Sequence, residues 1–372
     1  MMMTLTLFLS VLTLMATLED IETPQSTEEQ DVRWIMLPGQ ETIEPGKGRR
    51  IVFMAGDEEY RSEEALPMLA RMMNRHGFEC IILFSQDPET GLVDPDEQNH
   101  IPGTHLIDKA DLLVLFLRFR ELSDEAMRPV VAHVESGKPV TGIRTSTHAF
   151  LYEDNEESPF ASWSWNSDDP PGGFGGEILG ETWVSHHGHH GSQATRGVVE
   201  ASNADHPVLR GVDDVFGPTD VYGIRGLPSD STILLRGAVI DGMDPKDPPV
   251  QGKQNEPMIP IAWVRERLMN SNSSQRLFVT TMGTAEDWSN EGLRTLFANS
   301  VLWQLGDTGQ IPDSGLEAPI VGPWEPTPFG FGAHRPGYRP SDYKKGSPWA
   351  EIGNTSKDSS ETPQDSLEID KP

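Results

Sequence analysis

The chain has 372 residues, a formal net charge of −29 and a pI near 4.6. This length predicts one large domain with extensions, or two domains. The acidity argues against nucleic acid and anionic membranes as partners, because both attract clustered Lys and Arg. The single cysteine, Cys80, excludes an intramolecular disulfide and a cysteine-rich metal site.

The N-terminal stretch 1–16 is apolar, reads MMMTLTLFLSVLTLMA, and is too short to span a bilayer comfortably. Its length suits a secretory signal, although no Lys or Arg precedes it. We interpret residues 1–18 as a candidate signal peptide, which implies export to the periplasm or the exterior. The alternative is a mis-assigned start or a buried strand in a cytoplasmic protein. A stable membrane anchor is not expected in either case.

Residues 19–48 are interpreted as a linker or arm in which 32–37 docks as a strand. Apolar runs at 51–55, 78–84, 111–117 and 139–143 predict strands buried on both faces. Amphipathic stretches at 62–76 and between Ser123 and Gly137 predict helices, with Ser62 as an N-cap. This alternation predicts a parallel sheet with crossover helices.

The later part of the chain predicts strands at 232–240, 259–264 and 276–281 and a helix at 290–305, the first two strands being antiparallel. Residues 153–195 are rich in Asp, Pro, Gly and Trp and predict an insertion. The main domain is thus expected at 49–306, followed by an irregular wrapping segment at 307–340. The polar stretch 341–372 is interpreted as a disordered acidic tail.

The segment 138–150, KPVTGIRTSTHAF, gives the strongest functional signal. A short apolar strand ends there in a polar turn, and ligands of open α/β sheets lie beyond the carboxyl ends of strands. A strand–turn–helix elbow would expose Arg144, whose guanidinium could hold a carboxylate or sugar hydroxyls. His148 is a candidate general base. The alternative is that 145–147 only cap a following helix.

Four histidines in the segment HHGHH, residues 186–190, give a second signal. Imidazoles at such short spacing can bind Zn²⁺ or another transition metal, and we name His186 and His189 as candidate ligands of a divalent metal. The alternative is a polar loop that lines a pocket.

Acidic residues follow the first long strand, in the segment Asp57–Arg61. Carboxylates at this edge could supply acid and base groups. Arg118 and Arg120 follow the third strand of the series and fall on the same edge, beside Ser146. These side chains predict a polar ring around one site. The alternative for the acidic segment is a solvated loop that leads into a helix.

Several short motifs, in order and at suitable spacing, resemble the ThuA-like (trehalose-utilisation) proteins of the class I glutamine-amidotransferase-like superfamily. The matching segments are Gly56-Asp57, Gly142-Ile143-Arg144, Gly180–His186, His206-Pro207-Val208, Asp220-Val221-Tyr222, and Thr280–Gly283 with Trp288 and Trp303. The resemblance implies an α/β, flavodoxin-like, mostly parallel sheet with helices on both faces. It also implies a role in the catabolism of a disaccharide or keto-sugar derivative.

The chain departs from amidotransferases at the elbow, where Arg144 stands in place of the cysteine nucleophile. Cys80 lies on a predicted strand and cannot substitute, so glutamine hydrolysis by that route is not expected. ThuA-like proteins often carry a histidine at the elbow, for which His148 is a candidate stand-in.

Two functions stay open at this point. The first is a lyase or hydrolase of a sugar derivative, with His148 as base, Arg144 and Arg118 orienting the substrate, and His186 or His189 as acid or metal ligand. The second is a non-catalytic carbohydrate-binding or scaffold protein, in which tryptophans such as Trp183 stack on sugar rings. The partner is a small carbohydrate in both cases, and homo-oligomerisation stays open. The candidate substrate-binding residues are Asp57, Glu58, Tyr60, Arg118, Arg120, Ser146, Tyr222 and Trp183.

Overall fold

The computed structural model describes residues 33–270 and 273–350, and within them one sheet of ten strands forms the centre of the fold. The order across the sheet is β1-β3-β2-β4-β5-β10-β9-β8-β6-β7. The strands are β1 Trp34–Leu37, β2 Arg50–Gly56, β3 Glu79–Phe84, β4 Leu112–Leu117, β5 Val140–Ile143, β6 Thr195–Val199, β7 Phe216–Gly217, β8 Ser231–Val239, β9 Ile259–Leu268 and β10 Ser274–Thr280.

The middle of the sheet is parallel. Strands β3, β2, β4, β5 and β10 pair in parallel, and the remaining pairs are antiparallel. The apolar run of β4 is buried along its whole length, as expected for a strand covered on both faces. The predicted flavodoxin-like α/β fold is confirmed, and the antiparallel extension beyond β10 makes the sheet mixed.

Three α-helices cover the sheet in the described residues: α1 Ser62–Arg75, α2 Asp124–Glu135 and α3 Glu291–Gln304. Helices α1 and α3 pack into one apolar cluster and α2 packs into the other, so helices lie on both faces. The N-cap of α1 is Arg61 with a φ of 60°, and Ser62 is the first helical residue. This corrects the expected N-cap by one position.

The predicted docking strand is present as β1, which pairs antiparallel with β3 at the edge of the sheet. Residues 1–18, the candidate signal peptide, lie outside the described residues. Among the described residues no helix is long and apolar enough to cross a membrane.

The turn after β5 continues as a short 3₁₀ helix, Arg144–His148, and no α-helix follows it. This corrects the expected strand–turn–helix elbow. The insertion 153–195 packs directly on the turn: a Cβ atom on Gly175 would lie 2.0 Å from the carbonyl oxygen of Thr147. The insertion therefore covers this turn, and glycine at 175 permits the close approach.

Residues 321–349, which we call the C-terminal strap, run back over α1. Arg71 on α1 donates from Nε to the Val321 carbonyl at 2.7 Å and from Nη1 to the Tyr343 carbonyl at 2.8 Å. Tyr343 and Trp349 are buried in the core. This corrects the expected disordered tail from Ser341; the rest of that stretch, 351–372, lies outside the described residues.

Candidate functional site

The carboxyl ends of β2, β4 and β5 meet at one edge of the sheet, as the sequence predicted, and β10 ends at the same edge. Asp57 ties two of these ends together. Its Oδ1 accepts hydrogen bonds from the amides of Glu59 at 2.8 Å and Tyr60 at 2.5 Å, and its Oδ2 accepts one from the Thr145 hydroxyl. Asp57 is completely buried, so its carboxylate fixes the two turns.

Arg144 points into the core rather than towards solvent. It is completely buried and has a φ of 42°, a strained backbone conformation that residues other than glycine rarely adopt. Its Nη1 donates to the Thr281 carbonyl at 2.6 Å and its Nη2 donates to Oδ1 of Asp220 at 3.1 Å. The guanidinium lies between the rings of Tyr60 and Tyr222, 4.1 and 4.2 Å from their centroids.

This geometry corrects the expectation that Arg144 contacts a ligand. It also places Tyr60 and Tyr222, both buried, around the arginine. A cation between two aromatic faces and beside a carboxylate is well stabilised without water. Arg144 therefore anchors the carboxylate in front of it.

That carboxylate, Asp220, holds two imidazoles. Nδ1 of His186 lies 2.8 Å from Oδ2, and Nδ1 of His190 lies 3.0 Å from Oδ1. Burial by itself would raise the pKa of Asp220, but the hydrogen bonds from both histidines and the charge of Arg144 hold it below its usual value. The ionised carboxylate only accepts hydrogen bonds, so both Nδ1 atoms donate. We call Asp220, His186 and His190 the Asp220 group.

Both imidazoles of the Asp220 group reach solvent. Their side chains are 37% and 35% exposed for His186 and His190, and their ring centroids lie 4.7 Å apart. Nε2 of His190 lies 3.2 Å from Oε1 of Glu59. The hydrogen bond to Asp220 raises the pKa of His190, whereas burial and the charge of Asp57 raise the pKa of Glu59. Glu59 therefore lies within ion-pair distance of His190, whose protonated form it favours.

His148 lies close to this group but is not hydrogen-bonded to it. Its ring is 5.0 Å from that of Phe119 and 5.9 Å from that of Trp183, and its Nδ1 contacts the Thr147 hydroxyl at 3.2 Å. Burial and the charges of Arg118 and Arg144 lower the pKa of His148 well below its usual value. His148 is therefore neutral near pH 7.

The ring of Trp183 lies near two histidines that the sequence indicated as candidates, His148 and His186. Its ring is 5.9 Å from His148 and 6.0 Å from His186, and the residue is partly exposed. A second ring, Trp165, lies 6.0 Å from Trp183 at an interplanar angle of 79°. These rings give the site an aromatic wall.

Two arginines share one carboxylate at the end of β4. Arg118 and Arg120 both form ion pairs with Glu58, and Arg120 also donates to the carbonyls of Pro95 and Glu97. Burial and the charge of Asp57 raise the pKa of Glu58. Arg120 is fully buried by these contacts, which fits a structural role.

Arg118 differs because its side chain is 18% exposed and lies between two rings, 4.5 Å from Phe119 and 5.0 Å from Phe331. Ser146 is buried and binds the backbone of β4. Its hydroxyl donates to the Leu115 carbonyl at 2.7 Å and accepts from the Leu117 amide. Of Arg118, Arg120 and Ser146, only Arg118 has a partly exposed side chain.

The Asp220 group also has the donors of a metal site. One ligand atom from each of His186, His190 and Asp220 lies within 4.8 Å of the others, and two imidazoles with a carboxylate suit Zn²⁺ or a similar divalent ion. A metal would therefore be held by these residues. His189, the other ligand named from the sequence, is exposed and is not a member of this group.

Sequence reasoning did not identify His190 and Asp220 as site residues, and it named Glu59 only as part of the acidic segment 57–61. Asp220 was noted in the motif Asp220-Val221-Tyr222, and His190 was noted in the histidine segment, without a role for either. The histidine segment comes close to Asp220 through a contact between distant parts of the chain: His186 forms an isolated antiparallel β-bridge with Tyr222.

No family model matches the chain, and no curated protein is similar to it at a significant level. Solved structures do match. A protein described as ThuA-like from Bacteroides uniformis has 15% identity and a TM-score of 0.42, and covers 68% of this chain and 90% of its own. Another, from Parabacteroides merdae, has 14% identity and a TM-score of 0.45, with coverages of 74% and 98%. The glutaminase domain of a Trypanosoma brucei CTP synthase has 10% identity and a TM-score of 0.31, with coverages of 73% and 97%.

The structures that this chain matches thus include ThuA-like and glutamine-amidotransferase-type proteins, the groups that the sequence motifs resemble. The identities are low, so we take the fold from the strand order and carry no residue role from these proteins.

Proposed function

We propose that this chain is an enzyme that moves a proton on a carbohydrate derivative, and that the Asp220 group carries out the transfer. The observation behind the proposal is one buried carboxylate that accepts Nδ1 hydrogen bonds from two solvent-facing imidazoles, His186 and His190. A carboxylate that fixes the tautomer of a histidine prepares its Nε2 for acid–base chemistry.

The two histidines have different surroundings and therefore different roles. Nε2 of His190 faces Glu59, and the two flanking carboxylates favour the protonated imidazole. Nε2 of His186 makes no hydrogen bond to the described residues. In the proposed reaction His186 takes a proton from the carbon next to a carbonyl, and His190 donates to the oxygen on which negative charge develops.

The carbohydrate class is supported by the sequence motifs and by the aromatic rings near His186 and His148. Trp183 lies within 6.0 Å of His186, and Phe119 lies within 5.0 Å of His148. Arg118 is the partly exposed cation at this edge and is suited to orient hydroxyl or keto oxygens.

The test is proton exchange on a panel of disaccharides and their keto derivatives. The protein is incubated with each sugar in D₂O, and loss of the proton next to the carbonyl is followed by NMR. We expect exchange with wild type and at least a 100-fold slower rate with His186→Gln, on the order expected for removal of a general base. His189→Gln is the matched control from the same loop and should behave as wild type.

Equal exchange by wild type and His186→Gln would contradict the assignment of His186. Binding of a sugar without any exchange or turnover would favour the second candidate, a non-catalytic carbohydrate-binding protein. That candidate is supported by the perpendicular rings of Trp165 and Trp183.

A further inference from the structure

The C-terminal strap covers part of the candidate site. The ring of Phe329 lies 5.3 Å from that of His190 and 5.7 Å from that of Tyr60. The amide of Gly330 donates to the Glu59 carbonyl at 2.8 Å, and Arg61 donates from Nη2 to the Gly330 carbonyl at 2.6 Å. The strap thus contacts both the turn that carries Glu59 and an imidazole of the Asp220 group.

A buried pair of carboxyl groups lies where the strap meets the first turn of α1. The Thr327 amide donates to Oε2 of Glu64 at 2.8 Å, and the Thr327 hydroxyl donates to Oε1. Glu64 accepts two hydrogen bonds, which favour its ionised form, so it loses its proton before Glu63 as the pH rises. Glu63 is 3% exposed, and both its carboxyl oxygens are buried with no hydrogen-bond partner in the described residues.

An unpartnered buried carboxyl group is far less costly when it is neutral, so Glu63 holds the proton of the pair. We propose that residues 321–349 are a removable cover of the candidate site, held in place while Glu63 is protonated and released when Glu63 ionises. Because the strap would regulate the candidate site, this inference rests on the proposed function. The movement itself can be measured without a substrate.

The charges around the pair support this assignment. Glu63 interacts with Glu64, Arg61 and Asp57 from its own helix and the preceding turn, and it acts on Tyr343 from the strap. Burial, and then the charge of Glu64, raises the pKa of Glu63 to about 8. The charge of Arg61 lowers the pKa of Glu63, but by less than burial and Glu64 raise it.

Glu64 interacts with Arg61 and with Arg335 of the strap. Burial raises the pKa of Glu64 to about 7, although the hydrogen bonds from Thr327 oppose this. Ionisation of Glu63 would leave two neighbouring carboxylates beneath the strap. Opening lets water solvate both, and the proton leaves to solvent, so opening releases one proton for each chain.

The experiment is hydrogen–deuterium exchange with mass spectrometry on the full chain at pH 6, 7, 8 and 9, expressed as protection factors that remove the intrinsic effect of pH. In wild type, protection of amides in 327–331 should fall by up to tenfold between pH 7 and pH 8, because Glu63 keeps its proton up to a pKa of about 8 under the closed strap and loses it when the strap opens, and protection should level off above pH 8. Glu63→Gln should keep its protection at pH 9. Glu125→Gln, an exposed position in the first turn of α2, is the matched control and should follow wild type.

A second variant tests the anchor. Thr327→Val keeps the shape of the side chain but removes the hydroxyl donor, and it should lower strap protection at pH 6 while amides in β2 and β4 stay protected. Equal protection of the wild-type strap at pH 6 and pH 9 would overturn the proposal. An equal loss of protection at pH 9 in Glu63→Gln and wild type would also overturn it. Neither result depends on whether any sugar reacts.

Discussion

Arg144 and Asp220 form a buried ion pair, with 3.1 Å between Nη2 and Oδ1 and both side chains 0% exposed. Arg144 occupies the apex of the turn after β5 and retains a positive φ of 42° there. Its side chain points inward and fixes Asp220, and Asp220 in turn fixes His186 and His190. The strained turn thus serves as an electrostatic anchor instead of presenting a nucleophile.

Asp220→Asn is expected to destabilise the fold and to abolish proton transfer. The change leaves Arg144 without its carboxylate partner and keeps only one acceptor oxygen, so the two imidazoles can no longer both be held as they are by Asp220. Breaking a buried pair by removing one partner typically costs about 3–5 kcal/mol. Urea unfolding measures the loss of stability, and the sugar exchange assay measures the loss of rate. A variant with wild-type stability would show that the pair is not buried as described.

Arg144→Lys should be destabilising even though the charge is kept. A single ammonium cannot reproduce the planar stack between Tyr60 and Tyr222 together with the bonds to Thr281 and Asp220. We expect a loss of about 1.5–3 kcal/mol, the value of a hydrogen bond to a charged group, in urea unfolding. Arg128→Lys, on α2 and outside the site, is the matched control and should change stability little.

The sequence allowed the fold to be predicted because its strands and helices have strong local patterns. The buried run Leu112–Leu117 reads as a strand without any tertiary information. The turn 144–148 was also recognised from its polar side chains. The direction of Arg144 was not predictable, because it depends on two tyrosines and an aspartate from other parts of the chain.

The histidine segment shows the same limit. Sequence spacing could not distinguish His189 from His190, since a loop has no fixed period. The choice is made by Asp220 and Glu59, 30 and 131 positions away from His190 in the chain, which contact its two ring nitrogens. The strap was missed in part because Tyr343 and Trp349 are isolated apolar residues in a polar stretch, without a periodic pattern.

Gly175→Ala should disturb the contact between the insertion and the candidate site. The new Cβ would lie 2.0 Å from the Thr147 carbonyl oxygen, a backbone atom that cannot rotate away. Overpacking of this kind costs about 1–3 kcal/mol. Thermal unfolding should show the loss, and near-UV circular dichroism should change because Trp163 and Phe174 pack beside the turn. Gly191→Ala is a control for the backbone alone: nothing lies within 4 Å of its Cβ, although its φ of 72° adds some strain.

Glu63→Gln should change how stability depends on pH. The pKa of Glu63 is raised by burial from its ordinary value of 4.5 to about 8, so the folded state holds a proton that the unfolded state has lost between these values. Wild-type stability should therefore fall relative to the variant as pH rises through this window. The difference grows by up to about 1.4 kcal/mol for each pH unit. Urea unfolding of both proteins at pH 5 and pH 8 measures it, and parallel pH curves would contradict the assignment.

The central claim is that Asp220 holds His186 by its Nδ1–H and leaves Nε2 available for proton transfer. The most direct measurement is a long-range ¹H–¹⁵N NMR spectrum of histidine-labelled protein, with His186→Gln used to assign the ring signals. In wild type we expect His186 to have a protonated Nδ1, and in Asp220→Asn we expect it to revert to the common tautomer with the proton on Nε2. A His186 ring that already carries its only proton on Nε2 in wild type, or one that is unchanged in Asp220→Asn, would contradict the account.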